Sequence, residues 1–137
     1  MKPKGNDMFD RYIICEHDFR NVISDQGVMG FQLRTRLPYY RGLGLSMVED
    51  IALVVDGQAI PRDALSVTVH GNTYSLSAME TEYVDRWEFG EEAVLTARLP
   101  GGLAKGLHKV DLTHTLRISY LPFLSIGSDT KVLALAD

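Results

Sequence analysis

The chain has 137 residues, 45% hydrophobic and 23% charged, a composition that suits one globular domain and excludes disorder. Fourteen Lys and Arg against eighteen Asp and Glu leave a net charge of −4, which excludes the basic footprint of a nucleic-acid or anionic-membrane binder. The single cysteine, Cys15, excludes an internal disulfide and a cysteine-rich zinc site.

Met1 to Asp7 is basic and then polar, with no apolar run behind it. That predicts a flexible tail over residues 1–7, no secretory signal and a cytoplasmic setting. No stretch approaches the roughly 20 apolar residues of a membrane helix. From Met29 the residues Met29, Phe31, Leu33, Thr35 and Leu37 alternate with Gly30, Gln32, Arg34 and Arg36, the period of a half-buried strand that ends at Pro38. Ile51 to Val55 and Gln58 to Pro61 flank Asp56-Gly57, a hairpin signal because a type I′ turn needs positive φ at both central positions. Leu65, Val67 and Val69 alternate with Ser66, Thr68 and His70, and Gly71-Asn72 is read as the turn into Tyr74 and Leu76.

Ser77 to Glu80 fits a capping box and predicts one or two helical turns at most. Val94 to Leu99 reads as another strand, closed by Pro100-Gly101-Gly102. His108 to Tyr120 holds the longest alternation: Val110, Leu112, His114, Leu116, Ile118 and Tyr120 share one face, the pattern of a strand inside a sheet. Lys131 to Leu135 supplies a last strand. The whole, residues 1–137, is expected to be a single all-β domain, an antiparallel, jelly-roll-like β-sandwich with at most one short helical turn.

Candidate chemistry is sparse. Cys15 and His17 would face one side of a strand, a nominal thiol and base, but no third orienting group accompanies them. A buried thiol near a solvent-facing turn is the other reading. His108 and His114 share a face yet stand some ~20 Å apart along a strand, too far for one metal. The acid pairs Glu49-Asp50 and Glu91-Glu92 diverge from one another, unlike a glycosidase pair. Arg41-Gly42-Leu43-Gly44-Leu45-Ser46 lacks the lysine and strand-to-helix setting of a phosphate loop. No catalytic residue and no metal site is therefore assigned to this chain.

Two segments carry more large side chains than a connection needs: Leu37 to Ser46, with Tyr39, Tyr40 and Arg41, and Tyr83 to Phe89, with the sole Trp87. Tyr, Trp and Arg suit interface anchors. Equally, both segments could fold their aromatics back onto the sandwich edge.

The runs FDRYIICEHDFRNV from Phe9, GFQLRTRLPYYRGLGLSMVEDIALVVDGQ from Gly30, DRWEFGEEAVL from Asp85 and LRISYLPF from Leu116 resemble the small β subunit of bacterial C-glycoside deglycosidases. The resemblance spans nearly the whole chain in matching order. It implies a two-chain enzyme of carbohydrate metabolism, a carbon–carbon lyase acting on 3-oxo C-glycosides. The larger α subunit would be a (β/α)8 barrel holding a divalent metal, usually manganese, with its own histidine as base; no cofactor is implied for the β chain. The C3 carbonyl acidifies the C2 proton, and its loss lets the bond to the aglycone break by elimination. Within that complex Tyr39, Tyr40, Arg41 and Trp87 are the expected contacts with the partner or with the substrate edge, and this chain alone is expected to be inactive. Two other functions remain open on the residues: a freestanding carbohydrate-binding sandwich using Tyr39, Tyr40 and Trp87 as a stacking platform, and an independent metal enzyme of jelly-roll type.

Overall fold

The computed structural model describes residues 10–39, 41–118 and 121–135. The tail expected over residues 1–7 and the interface candidate Tyr40 lie outside them. Eleven strands form the all-β architecture: β1 (Arg20–Ser24), β2 (Gly27–Thr35), β3 (Leu43–Gly44), β4 (Val48–Val55), β5 (Gln58–Ala59), β6 (Leu65–Val69), β7 (Asn72–Ser75), β8 (Arg86–Trp87), β9 (Ala93–Arg98), β10 (Gly106–Leu116) and β11 (Ser125–Leu135). One five-stranded sheet has the order β1-β2-β9-β6-β7 and one four-stranded sheet the order β11-β10-β4-β5; β3 and β8 form a small pair. The pairings are antiparallel, and the chain passes between the two larger sheets three times, after β2, β5 and β9.

The period-two residues of both sheets meet in a single core. Phe31 and Leu33 of β2, Leu95 and Ala97 of β9 and Val67 of β6 pack against Leu53 of β4 and Val110, Leu112 and Leu116 of β10. Strand β10 lies inside its sheet, paired in full with β11 and over its second half with β4. The long alternation from His108 is therefore buried on its predicted face, with the opposite side chains wetter.

Turn chemistry follows backbone strain. Asp56 (φ 52°) and Gly57 (φ 82°) make the anticipated hairpin between β4 and β5. The β6–β7 turn sits one residue earlier than the sequence suggested: His70 (φ 52°) and Gly71 (φ 78°) are its central pair, because Asn72 already pairs with Val69. The helical turn α1 (Leu76–Met79) also begins early. Ser75, not Ser77, is its N-cap, accepting from the Ala78 N–H at 3.0 Å, so the strand runs straight into the cap. With the short 3-10 turn Arg62–Ala64, α1 covers the side of the sandwich beside β4 and β6.

Strand β11 is longer than the Lys131 to Leu135 segment read from the sequence, because its first half is buried without being apolar. Ser125 and Gly127 face inward there, and Asp129 and Lys131 are bonded to the incoming chain. Asp129 accepts from the Ile14 N–H at 3.0 Å, and Lys131 donates to the Arg11 and Ile14 carbonyls. A Cβ on Gly127 would strike Pro38, so glycine is what lets that loop lie against the strand. The segment from Asp10 to Cys15 thereby joins the core, with Ile13 and Ile14 buried and Ile14 bridged to Thr35.

Among the described residues no helix is long and apolar enough to cross a membrane.

Candidate functional site

The two aromatic segments singled out by composition meet in space. Leu43 pairs with Trp87 and Gly44 with Arg86, and the Leu45 and Ser46 N–H groups donate to the Asp85 and Glu82 carbonyls at 3.1 Å each. Gly42 lies so close to Glu88 that a side chain there would overlap the carboxylate. One surface of loops at one end of the sandwich is the result. At that end β2 finishes at Thr35, β10 finishes at Leu116 beside the start of β4, and β11 begins at Ser125.

Under these loops is a buried polar core. Trp87 is 0% exposed, its indole N–H donates to the Glu91 carbonyl at 2.8 Å, and its ring lies 5.4 Å from the His114 imidazole. His114 Nε2 shares a 2.8 Å hydrogen bond with the Thr35 hydroxyl across the two sheets. Its Nδ1 has no hydrogen-bond partner among the described residues. Burial alone pushes the His114 pKa down to about 3, so the ring is neutral at physiological pH.

His70 is the opposite case. Its Nδ1 lies 2.8 Å from Asp85 and its Nε2 2.6 Å from Glu91. Carboxylates only accept, so both ring nitrogens must donate, and the ring is the imidazolium. The Asp85 hydrogen bond accordingly raises the His70 pKa. The Tyr74 hydroxyl donates to the other Asp85 oxygen at 2.7 Å; together Tyr74 and His70 lower the Asp85 pKa to about 2, and the Tyr74 phenol is pushed up to about 12. A positive-φ turn residue thus clamps the segment from Asp85 to Glu91.

A second network holds the other flank. Asp18 (φ 65°) accepts from Arg34 Nε at 2.7 Å, Arg20 Nε at 2.8 Å and Gln32 at 3.0 Å, and the Arg34 bond leads in lowering its pKa. Glu92 accepts from Arg36 at 2.7 Å and bonds His17 at 2.8 Å. Cys15 and His17 border one open hollow of about 380 Å³, but Glu16 lines it too and the segment is not a strand, so the alternation expected there is not formed. Burial, however, raises the Cys15 pKa to about 11, so the sulfur is a thiol at neutral pH, and His17 is turned to Glu92. His108 is held at the far end of the core, between Asp56 and the Ala104 carbonyl at 2.6 Å each. Among the described residues no three His, Cys, Asp or Glu side chains converge as a metal site.

Residues 9–120 match the family described as C-glycoside deglycosidase beta subunit. The chain belongs to that family. It is 36% identical over 114 residues to the C-glycoside deglycosidase beta subunit of Eubacterium cellulosolvens, covering 82% of this chain and 78% of the relative. It is 35% identical over 116 residues to the 3'-dehydrocarminate deglycosidase beta subunit of a Microbacterium species (84% and 83% covered). A C-glycoside deglycosidase beta subunit of Arthrobacter globiformis is 32% identical over 109 residues (75% and 81%). A β subunit of a deglycosidase is one part of an enzyme complex, with a partner subunit beside it.

Seen as a C-glycoside deglycosidase β subunit, the chain distributes its four interface candidates unevenly. Trp87 is wholly buried and Tyr39 is 4% exposed, so neither presents a ring to solvent, and the platform pictured for a carbohydrate-binding module is not formed by them. Arg41 is exposed and Tyr40 lies outside the described residues. Four aromatics are exposed among the described residues, Tyr83, Phe123, Phe89 and Tyr12, and of these Phe89, 55% exposed, and Tyr12, 46% exposed, are neighbours. They flank a groove of about 220 Å³ floored by Leu37 and bordered by Arg36 and Gly90. The sequence does not single out Tyr12, which sits in the apolar run Tyr12-Ile13-Ile14, where nothing marks the one side chain that stays outside.

Proposed function

We propose that this chain is the noncatalytic β subunit of a hetero-oligomeric C-glycoside deglycosidase, supporting a larger α subunit that carries the chemistry. The observation that carries this reading is the family match over residues 9–120, together with identities of 32–36% to relatives named as β subunits. The side chains are consistent with a supporting role. Each of the four histidines is committed within the chain: His17 to Glu92, His70 to Asp85 and Glu91, His108 to Asp56, and His114 to Thr35. The only cysteine is a protonated, buried thiol. Among the described residues no three His, Cys, Asp or Glu side chains converge to hold a metal, and a divalent metal such as manganese would belong to the α subunit in this reading.

The substrate of the complex would be a 3-oxo C-glycoside, split by elimination at the carbon–carbon bond between sugar and aglycone. Co-expression with the cognate α subunit tests the reading. The expected result is a stable complex on size-exclusion chromatography that releases aglycone from a 3-oxo C-glycoside, while this chain alone releases none. Two separate peaks, or aglycone release by the isolated chain, would refute it.

A further inference from the structure

The outward faces of both sheets are mainly polar. Gln32 and Arg34 of β2, Thr96 of β9 and Ser66 and Thr68 of β6 line one, and Asp111, Thr113 and Thr115 of β10 lie on the other. Exposed apolar side chains collect elsewhere. Of the ten large exposed hydrophobics among the described residues, six come from the loop end: Tyr12, Tyr83, Val84, Phe89, Phe123 and Leu124. Asp85, bonded to the β6–β7 turn, places Tyr83 and Val84 there; Leu124 adjoins the start of β11; and Tyr12 shares its groove with Leu37 and Phe89. The other four lie on strands of the two larger sheets, Ile23 on β1, Met29 on β2, Leu107 on β10 and Val132 on β11.

We propose that this loop end is the face on which the larger subunit docks, with Tyr12 and Phe89 as its anchors. The proposal rests on the β-subunit reading above. The groove between these rings, about 220 Å³, is smaller than the roughly 300–1,000 Å³ of a small-molecule site and suits one large apolar side chain of the partner. Arg11 stacks over Tyr12, 5.2 Å from the ring centroid, and makes no ion pair among the described residues. A partner with an apolar knob beside a carboxylate therefore satisfies both features, an aromatic centre and a charged rim. The clamps at His70 and Glu92 hold the segment that carries Phe89 before any partner arrives.

The test uses the co-expressed complex and compares substitutions at the two ends of the sandwich. Phe89→Asp, Tyr12→Asp and Arg11→Glu are set against Leu107→Asp and Val132→Asp, with folding of each free chain checked by circular dichroism. Phe89→Asp should weaken association about thirtyfold or more, the loss typical of a hot-spot anchor, and Arg11→Glu should weaken it about fivefold or more. The Leu107 and Val132 changes should stay within about threefold of wild type. Hydrogen exchange on the unmodified chain, which needs no variant to fold, should show slowing on assembly across residues 82–90 and 10–13. Normal assembly of Phe89→Asp and Arg11→Glu, or slowing confined to the outer faces of β10 and β11, overturns the docking face while leaving the subunit reading intact. Failure of the wild-type chain to bind the larger subunit at all overturns the subunit reading and the face with it. A self-dimer of the free chain that Phe89→Asp dissolves also overturns it, since the face would then serve a second copy.

Discussion

Thr35→Val exchanges one hydroxyl for a methyl of nearly the same size at a position with no exposed surface. The hydroxyl lies 2.8 Å from Nε2 of His114, whose other ring nitrogen already lacks a partner among the described residues. Removing it leaves the imidazole with both polar atoms buried and unmatched. A buried group stripped of its hydrogen bond costs about 1–3 kcal/mol, whereas deleting both partners together is close to neutral. Thr35→Val alone should therefore destabilise by about 2 kcal/mol, and His114→Leu should recover much of that loss in the double variant. With an urea m-value of roughly 2 kcal/mol/M, 2 kcal/mol moves the unfolding midpoint by about 1 M. Urea titrations of wild type, both single variants and the double variant give the coupling directly, provided m is unchanged. A Thr35→Val midpoint equal to wild type, or strictly additive single effects, would show that the bond across the sheets does not specify this core.

Acid stability should depend on the same ring. His114 is neutral when folded, with a pKa of about 3, and charges freely near 6.5 when unfolded. Its contribution is therefore complete above about pH 6.5 and is lost as pH falls toward 3, at up to about 1.4 kcal/mol per pH unit. His70 and His108, whose pKa values are raised, act in the other direction: their clamps are complete below about pH 6.5 and weaken as pH rises through their folded values. Thermal unfolding across pH 4 to 9 should show a maximum near neutrality, and His114→Leu should flatten only the acid side; an unchanged acid limb would refute the assignment. Trp87→Phe keeps a ring against His114 but removes the 2.8 Å bond to the Glu91 carbonyl, for a loss of about 1 kcal/mol, while Trp87→Ala should cost about 3–5 kcal/mol. Equal effects of the two in chemical denaturation would mean that packing of the indole contributes little.

Much of the fold could be read from period and turn chemistry. The inner residues of β10 keep a strict alternation of buried positions, His108, Val110, Leu112, His114 and Leu116, and Asp56-Gly57 favours a type I′ turn. The first half of β11 is not legible for the converse reason: its buried residues Ser125 and Gly127 are not apolar, and Gly127 faces Pro38 and Asp10. At the loop end Trp87 and Phe89 lie in one irregular segment, and composition alone does not separate the two rings. Strand β8 stops at Trp87, however, and Gly90 (φ 78°) turns the following residues, so Trp87 points to His114 and Phe89 to solvent. Side-chain type marked both segments; which ring stays outside depends on where the two-residue pair β3–β8 ends.

That division between inner and outer rings explains why so much polar bonding surrounds an apolar surface. Loops bearing exposed aromatics collapse onto the nearest apolar cover unless something fixes them, since burying a ring gains on the order of 1.5–3 kcal/mol. Here the inner cover is already taken by Trp87, Tyr39 and Leu45. The outer residues are then pinned from two sides, by His70 through Asp85 and Glu91, and by Arg36 and His17 through Glu92. The ordering entropy of the segment from Asp85 to Glu92 is consequently met on folding and not on association. A surface prepared in that way loses less freedom when it binds, and preorganisation of this kind raises affinity without adding contacts.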